Sequence, residues 1–156
     1  MIFSKEIDLT ILGSILGAIA SIGIALVFQY RQRQQQYEQI IDRFKFNIDR
    51  MNDIVTRLTT TTTAKEFPTF LLDTTILDML FASGPDLFQS SYHTSKHAQD
   101  LFIQLNWCRY QMHHINNKLT MIPFLRGGLV HQSDIDDLVN HARGESANIK
   151  KILEIA

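Results

Sequence analysis

Residues 9–30 read LTILGSILGAIASIGIALVFQY, twenty-two positions in a row without a charged side chain. As a helix this stretch is about 33 Å long, enough to cross a hydrocarbon core of ~30 Å. Fourteen of its first twenty side chains are apolar, and the core helix of a soluble domain rarely runs so far without one charge. Ala18-Ile19-Ala20 resembles a signal-peptide cleavage site. The residues before Leu9 are not basic, however, because Glu6 and Asp8 offset Lys5, and the apolar run continues past the supposed cut to Phe28. The stretch therefore predicts a membrane anchor over residues 1–30, followed by a second region over 31–156.

The flanks predict the orientation. Arg31, Arg33, Arg43, Lys45 and Arg50 follow the span, whereas Lys5 stands alone before it. Basic residues stay on the cytoplasmic side, so the N-terminus is expected outside and the C-terminal region inside. The single cysteine, Cys108, excludes an intramolecular disulfide and fits a reducing compartment. Within the span, Gly13, Gly17, Ser21 and Ala25 recur at every fourth position. Small residues at this spacing form a groove that lets another helix approach closely, which predicts self-association in the membrane.

With the anchor removed from the average, the composition changes meaning. The chain has 156 residues, 15 basic and 16 acidic, with a net charge of −1 and a mean hydropathy of −0.05. That balance excludes a globally basic coat for long nucleic acid, and 20% charged residues excludes a fully disordered chain. What remains outside the anchor suffices for one modest core.

The remaining patterns are helical. The Gln-rich residues 31–39 contain neither Gly nor Pro, so the anchor helix is expected to continue out of the bilayer. From there Tyr37, Ile41, Phe44, Ile48, Met51, Val55 and Leu58 repeat at 4-3 spacing. Ile40 and Ile54 widen that seam, which favours a bundle helix over a parallel coiled coil. The threonine run 59–63 ends it. Pro68 suits the first turn of a second, densely apolar helix over 69–82, stopped by Gly84-Pro85, after which Asp86 is placed to cap the next helix. A third helix over 89–122 carries the seam Leu101, Leu105, Cys108, Met112, Ile115 and Leu119. Ser133 is expected to cap a fourth, with Asp134, Asp136 and Asp137 at its positive end. No segment alternates with period two, so the fold class is all-α: one transmembrane helix and a cytoplasmic helical bundle, expected to be oligomeric.

Enzyme signatures are absent. There is no Gly-x-Ser-x-Gly, no phosphate loop, no dinucleotide fingerprint and no His-Glu-x-x-His. Cys108 lies on a core seam and reads as a buried structural thiol. His93 and His97, near Asp100, lack a further ligand pair, and capping explains the aspartates, so neither a metal nor a cofactor is expected. What stands out is the stretch between Asp86 and Asp134. It holds one acid, Asp100, alongside Lys96, Arg109, Lys118 and Arg126 and five of the six histidines. On a helical wheel, Ile103, Asn106, Trp107, Tyr110, His114 and Asn117 fall opposite the core seam. Aromatics that stack on bases, asparagines that pair with adenine, and nearby cations are what a nucleotide pocket requires. The candidate ligand-binding set is therefore Asn106, Trp107, Arg109, Tyr110, His114, Asn117, Lys118 and Arg126, with backbone N–H groups from Gly127 and Gly128. The alternative for the same face is a second packing surface, and a symmetric oligomer accommodates both.

In plan, the anchor, the Arg31/Arg33 flank and the Asn106-Trp107…Tyr110…His114 face together resemble a small CRISPR-associated membrane effector family of type III antiviral systems. The likeness covers the whole chain as architecture. It implies a cytoplasmic domain that binds a cyclic oligoadenylate, tetra-adenylate foremost, in a symmetric homo-oligomer with a tetramer favoured. It further implies membrane helices that perturb the bacterial inner membrane, with lipid as the second partner. A membrane-anchored adaptor for another protein and a phage exclusion protein fit the same anchor.

Overall fold

From Phe3 to Thr60 the chain is one α-helix, α1. The computed structural model describes residues 3–60, 67–82, 84, 95–124 and 131–154, the side chains of 3–12, 95 and 97 aside. Nothing in the sequence interrupts α1: after Gly23 it contains neither Gly nor Pro, the residues that break or kink a helix. Fifty-eight residues make a rod of roughly 87 Å. Three further helices follow, α2 (Thr75–Phe81), α3 (Ser95–Met121) and α4 (Gln132–Leu153), and no strand occurs among the described residues.

The core gathers one face from each helix. Phe44, Met51 and Ile54 of α1 meet Leu77 of α2, Leu105, Met112 and Ile115 of α3, and Leu138 and Ile149 of α4, all fully buried. Phe81 of α2 links the layers, its ring 6.3 Å from Phe44 edge-on and 5.3 Å from Phe102. α4 packs along α1 and α3 along α4. α3 and α4 run antiparallel, because pairing proceeds from Lys118–Asp137 through Gln111–His141 to Cys108–Asn148. The α3 seam is buried at all six positions. On α1 the buried face is shifted from the 4-3 seam: Ile40 and Ile54 are fully buried, while Tyr37, Ile41 and Val55 are only partly so. The wide face meets several neighbours, as a bundle wall must.

Two local expectations are corrected. The second helix does not begin near Pro68, because residues 68–74 form an irregular strap and α2 starts only at Thr75. Two buried or half-buried asparagines hold the strap open. Asn47 of α1 donates to Asp73 O at 2.9 Å and accepts from Asp73 N–H at 2.8 Å. Asn116 of α3 does the same to Leu72, at 2.9 and 2.7 Å. Each side-chain amide mimics a backbone partner, so the strap's polar groups are satisfied without a helix. Arg50 donates to Leu71 O, and Arg43 pairs with Asp73 at 3.2 Å. The second correction concerns α4, whose N-cap is His131 and not Ser133. Asp134 N–H bonds His131 O, and Asp136 accepts from Gln132 within the first turns. The residues expected to begin the third helix, 89–94, and Asp86 lie outside the described residues.

Candidate functional site

The α3 helix buries one side and exposes the other. Ile103 is 63% exposed, Trp107 60% and Tyr110 55%. His114 and Asn117 are exposed beside them and Asn106 is half-buried. Five of the sequence-derived ligand residues, Asn106, Trp107, Tyr110, His114 and Asn117, thus share one ridge or its margin with Ile103. Arg126, Gly127 and Gly128 lie outside the described residues, as does His93.

Of the three cations expected to meet a phosphate, the two among the described residues, Arg109 and Lys118, already have carboxylate partners. Arg109 tucks towards α2, its guanidinium 3.3 Å from Asp78, stacked over Tyr110 at 4.8 Å and Phe81 at 5.5 Å. His113 joins the same carboxylate at 3.0 Å. Lys118 reaches Asp137 of α4 at 2.6 Å, and that ammonium holds the Asp137 carboxyl below its ordinary value. The stretch is poor in acids along the sequence, but folding supplies acids from α2 and α4.

The concave feature lies beside the ridge. Ile103, Gln104 and Trp107 of α3 and Asn148, Lys151 and Ile152 of α4 line a groove of about 560 Å³. It combines an indole face, two side-chain amides and an ammonium, and Lys151 forms no ion pair with any described residue. An aromatic ring carrying negative charge matches that set: stacking on the indole, hydrogen bonds to the amides and charge at the lysine.

Behind this groove sits a buried polar cluster that the sequence patterns passed over. Glu145 is 8% exposed, and its Oε1 has no hydrogen-bond partner among the described residues. Burial pushes its carboxyl above the usual range, against the lowering effect of hydrogen bonds with Cys108 and Asn148. Burial, reinforced by Glu145, also raises the Cys108 thiol. Ser146 donates to Asn52 of α1 at 3.1 Å. The signal was present: Ala142 and Ile149 leave room at 145 and 146 for a residue on the same stripe. Further along α4, burial and the charge of Lys118 lower the His141 imidazole, whose ring lies 5.1 Å from that of His114.

No protein family, curated protein or solved structure matches the chain. Among the described residues no group of three or more His, Cys, Asp or Glu side chains is arranged to hold a metal.

At the other end of α1, one helix is long and apolar enough to cross a membrane. Gly13, Gly17, Ser21 and Ala25 are exposed there, with open space around a Cβ built on either glycine. The Ser21 hydroxyl donates to Gly17 O at 2.8 Å, so it is satisfied within its own helix.

Proposed function

We propose that the chain is a single-pass membrane effector. In this account residues 9–30 anchor it in a bacterial inner membrane, and the bundle on the cytoplasmic side senses a ligand. The observation that carries this is α1 itself: one uninterrupted helix supplies both the candidate span and a wall of the core. A rigid element shared by two regions couples them, so a ligand that favours one packing of α4 against α1 biases the span as well.

For the ligand we propose an adenine nucleotide bound at the Trp107–Lys151 groove, with cyclic tetra-adenylate as the member the resemblance names. The indole stacks on a base, Gln104 and Asn148 face its edge, and Lys151 meets phosphate. In this reading Arg109 and Lys118 brace the groove through Asp78 and Asp137, and Tyr110, Asn106, His114 and Asn117 form the adjoining ridge. Calorimetry on the full chain in lipid nanodiscs, with cyclic tetra-adenylate, cyclic AMP and ATP, tests it. Binding of the cyclic oligomer that is lost in Trp107→Ala and Lys151→Ala is expected. No heat with any of the three overturns the nucleotide reading.

A second reading, the membrane-anchored adaptor, draws on the same two ion pairs. Surfaces whose cations are already neutralised suit a protein partner, and Trp and Tyr are the side chains that anchor such contacts. Co-purification of one stoichiometric partner, with no response to nucleotides, is its signature.

A further inference from the structure

The exposed ridge of α3 has a register of its own. Ile103, Trp107, Tyr110, His114, Asn117 and Met121 follow one another at spacings of 4, 3, 4, 3 and 4. All are exposed, Met121 at 55%. A ridge that needed only to meet water would carry Lys and Glu at such positions. Instead it repeats every 3.5 residues, the period of a helix packed lengthwise against another helix.

We propose that this ridge is a parallel, in-register interface with α3 of a second copy of the chain. The proposal depends on the anchoring described above, which supplies the orientation. Copies inserted in one bilayer the same way round are related by an axis along the membrane normal. α3 follows α4 and α4 follows α1, so a twofold axis in that direction sets each α3 parallel to its copy, with every ridge residue opposite itself. Such self-pairing is ruled out where the facing positions carry charge, because like would meet like. None of the six positions from Ile103 to Met121 is Asp, Glu, Lys or Arg, whereas the same register reaches the exposed Asp100 and Lys96 before them, so the pairing begins at Ile103.

The flanking positions agree. Asn106 of one copy falls beside Gln111 of the other, two amides able to hydrogen-bond. Lys118, the charged residue on that flank, is already paired with Asp137. Polar residues within such a seam fix register, the part that His114 and Asn117 play. Confinement to one bilayer raises the effective concentration of the two ridges. The dimer brings two Trp107–Lys151 grooves to either side of one axis, so the partner inferred here is the chain itself.

Oxidative cross-linking of the full chain in native membranes tests the pairing. Tyr110→Cys lies on the ridge, and Asn140→Cys, exposed on α4, serves as the off-ridge control. Tyr110→Cys is expected to yield a disulfide-linked band at twice the protomer mass, and Asn140→Cys is expected to remain monomeric. Ile103→Glu, at an exposed position and with its helicity checked by circular dichroism, is expected to abolish that band in the Tyr110→Cys background. Equal cross-linking at both cysteines, a persistent band with Ile103→Glu, or an adduct of another mass overturns the proposal. Fractionating the same samples separates the two claims. Chain in the soluble fraction contradicts the anchor, whereas chain in the membrane without the Tyr110→Cys band contradicts the ridge alone.

Discussion

Two stretches of the same helix hold similar apolar side chains in opposite circumstances. In the first half of α1, Ile15, Ile19, Ile24 and Phe28 stand exposed, Phe28 at 68%; in the second half, Ile40, Phe44, Met51 and Ile54 are fully buried. Propensity does not separate them, since both are helical throughout. The polar residues do. Residues 40–58 place Asp42, Lys45, Asp49 and Arg57 on the side away from the core, all exposed, which is how a helix divides itself between protein and water. Residues 9–28 have no charged side chain on any side. The second half finds its cover within the chain, and the first half, left uncovered there, is long and apolar enough to cross a membrane.

The comparison breaks most readily in the buried half. Phe44→Ala is expected to cost the bundle about 3–5 kcal/mol, read in chemical denaturation of the detergent-solubilised chain. Ile19→Ala should leave the same transition unmoved. A bundle indifferent to Phe44→Ala would mean that the two halves do not differ as described.

A smaller effect is expected where α1 holds the strap. Asn47→Ala leaves both Asp73 backbone groups unpaired and should cost about 2 kcal/mol, with faster hydrogen exchange at residues 72 and 73. Exchange unchanged there would show that the strap does not depend on the amide.

The smallest effect concerns the buried Glu145 carboxyl of α4, which faces Cys108 of α3. Burial raises the Glu145 carboxyl in the folded state, so the folded chain holds that proton more tightly than the unfolded chain does. Its contribution to stability is complete below the ordinary value of 4.5 and is lost as pH rises through the raised folded value. Glu145→Gln removes the penalty, so a gain of about 1 kcal/mol is expected at pH 7, shrinking towards pH 4. A gain independent of pH would contradict the assignment.

Much of this was legible before folding because it depends on local periodicity. The α3 seam, the continuity of α1 and the exposed Trp107 and Tyr110 all follow from spacing alone. The strap does not. Phe70, Leu71, Leu72, Ile76 and Leu77 have the density of a buried helix, and the amides that hold residues 72 and 73 extended come from 44 and 26 residues away. The same limit affected the site. Arg109 and Lys118 sit in a stretch nearly free of acids, and only tertiary packing brings Asp78 and Asp137 to them. The groove beside Trp107 needed Lys151 and Asn148, which no pattern along α3 reveals.

The central claim is that the exposed half of α1 lies in a membrane with the bundle on the cytoplasmic side. Protease protection in bacterial spheroplasts tests it most directly. Protease added outside intact spheroplasts should leave the membrane-bound bundle whole, and permeabilisation should expose it to digestion. A bundle digested in intact spheroplasts, or a chain recovered in the soluble fraction, would contradict the account.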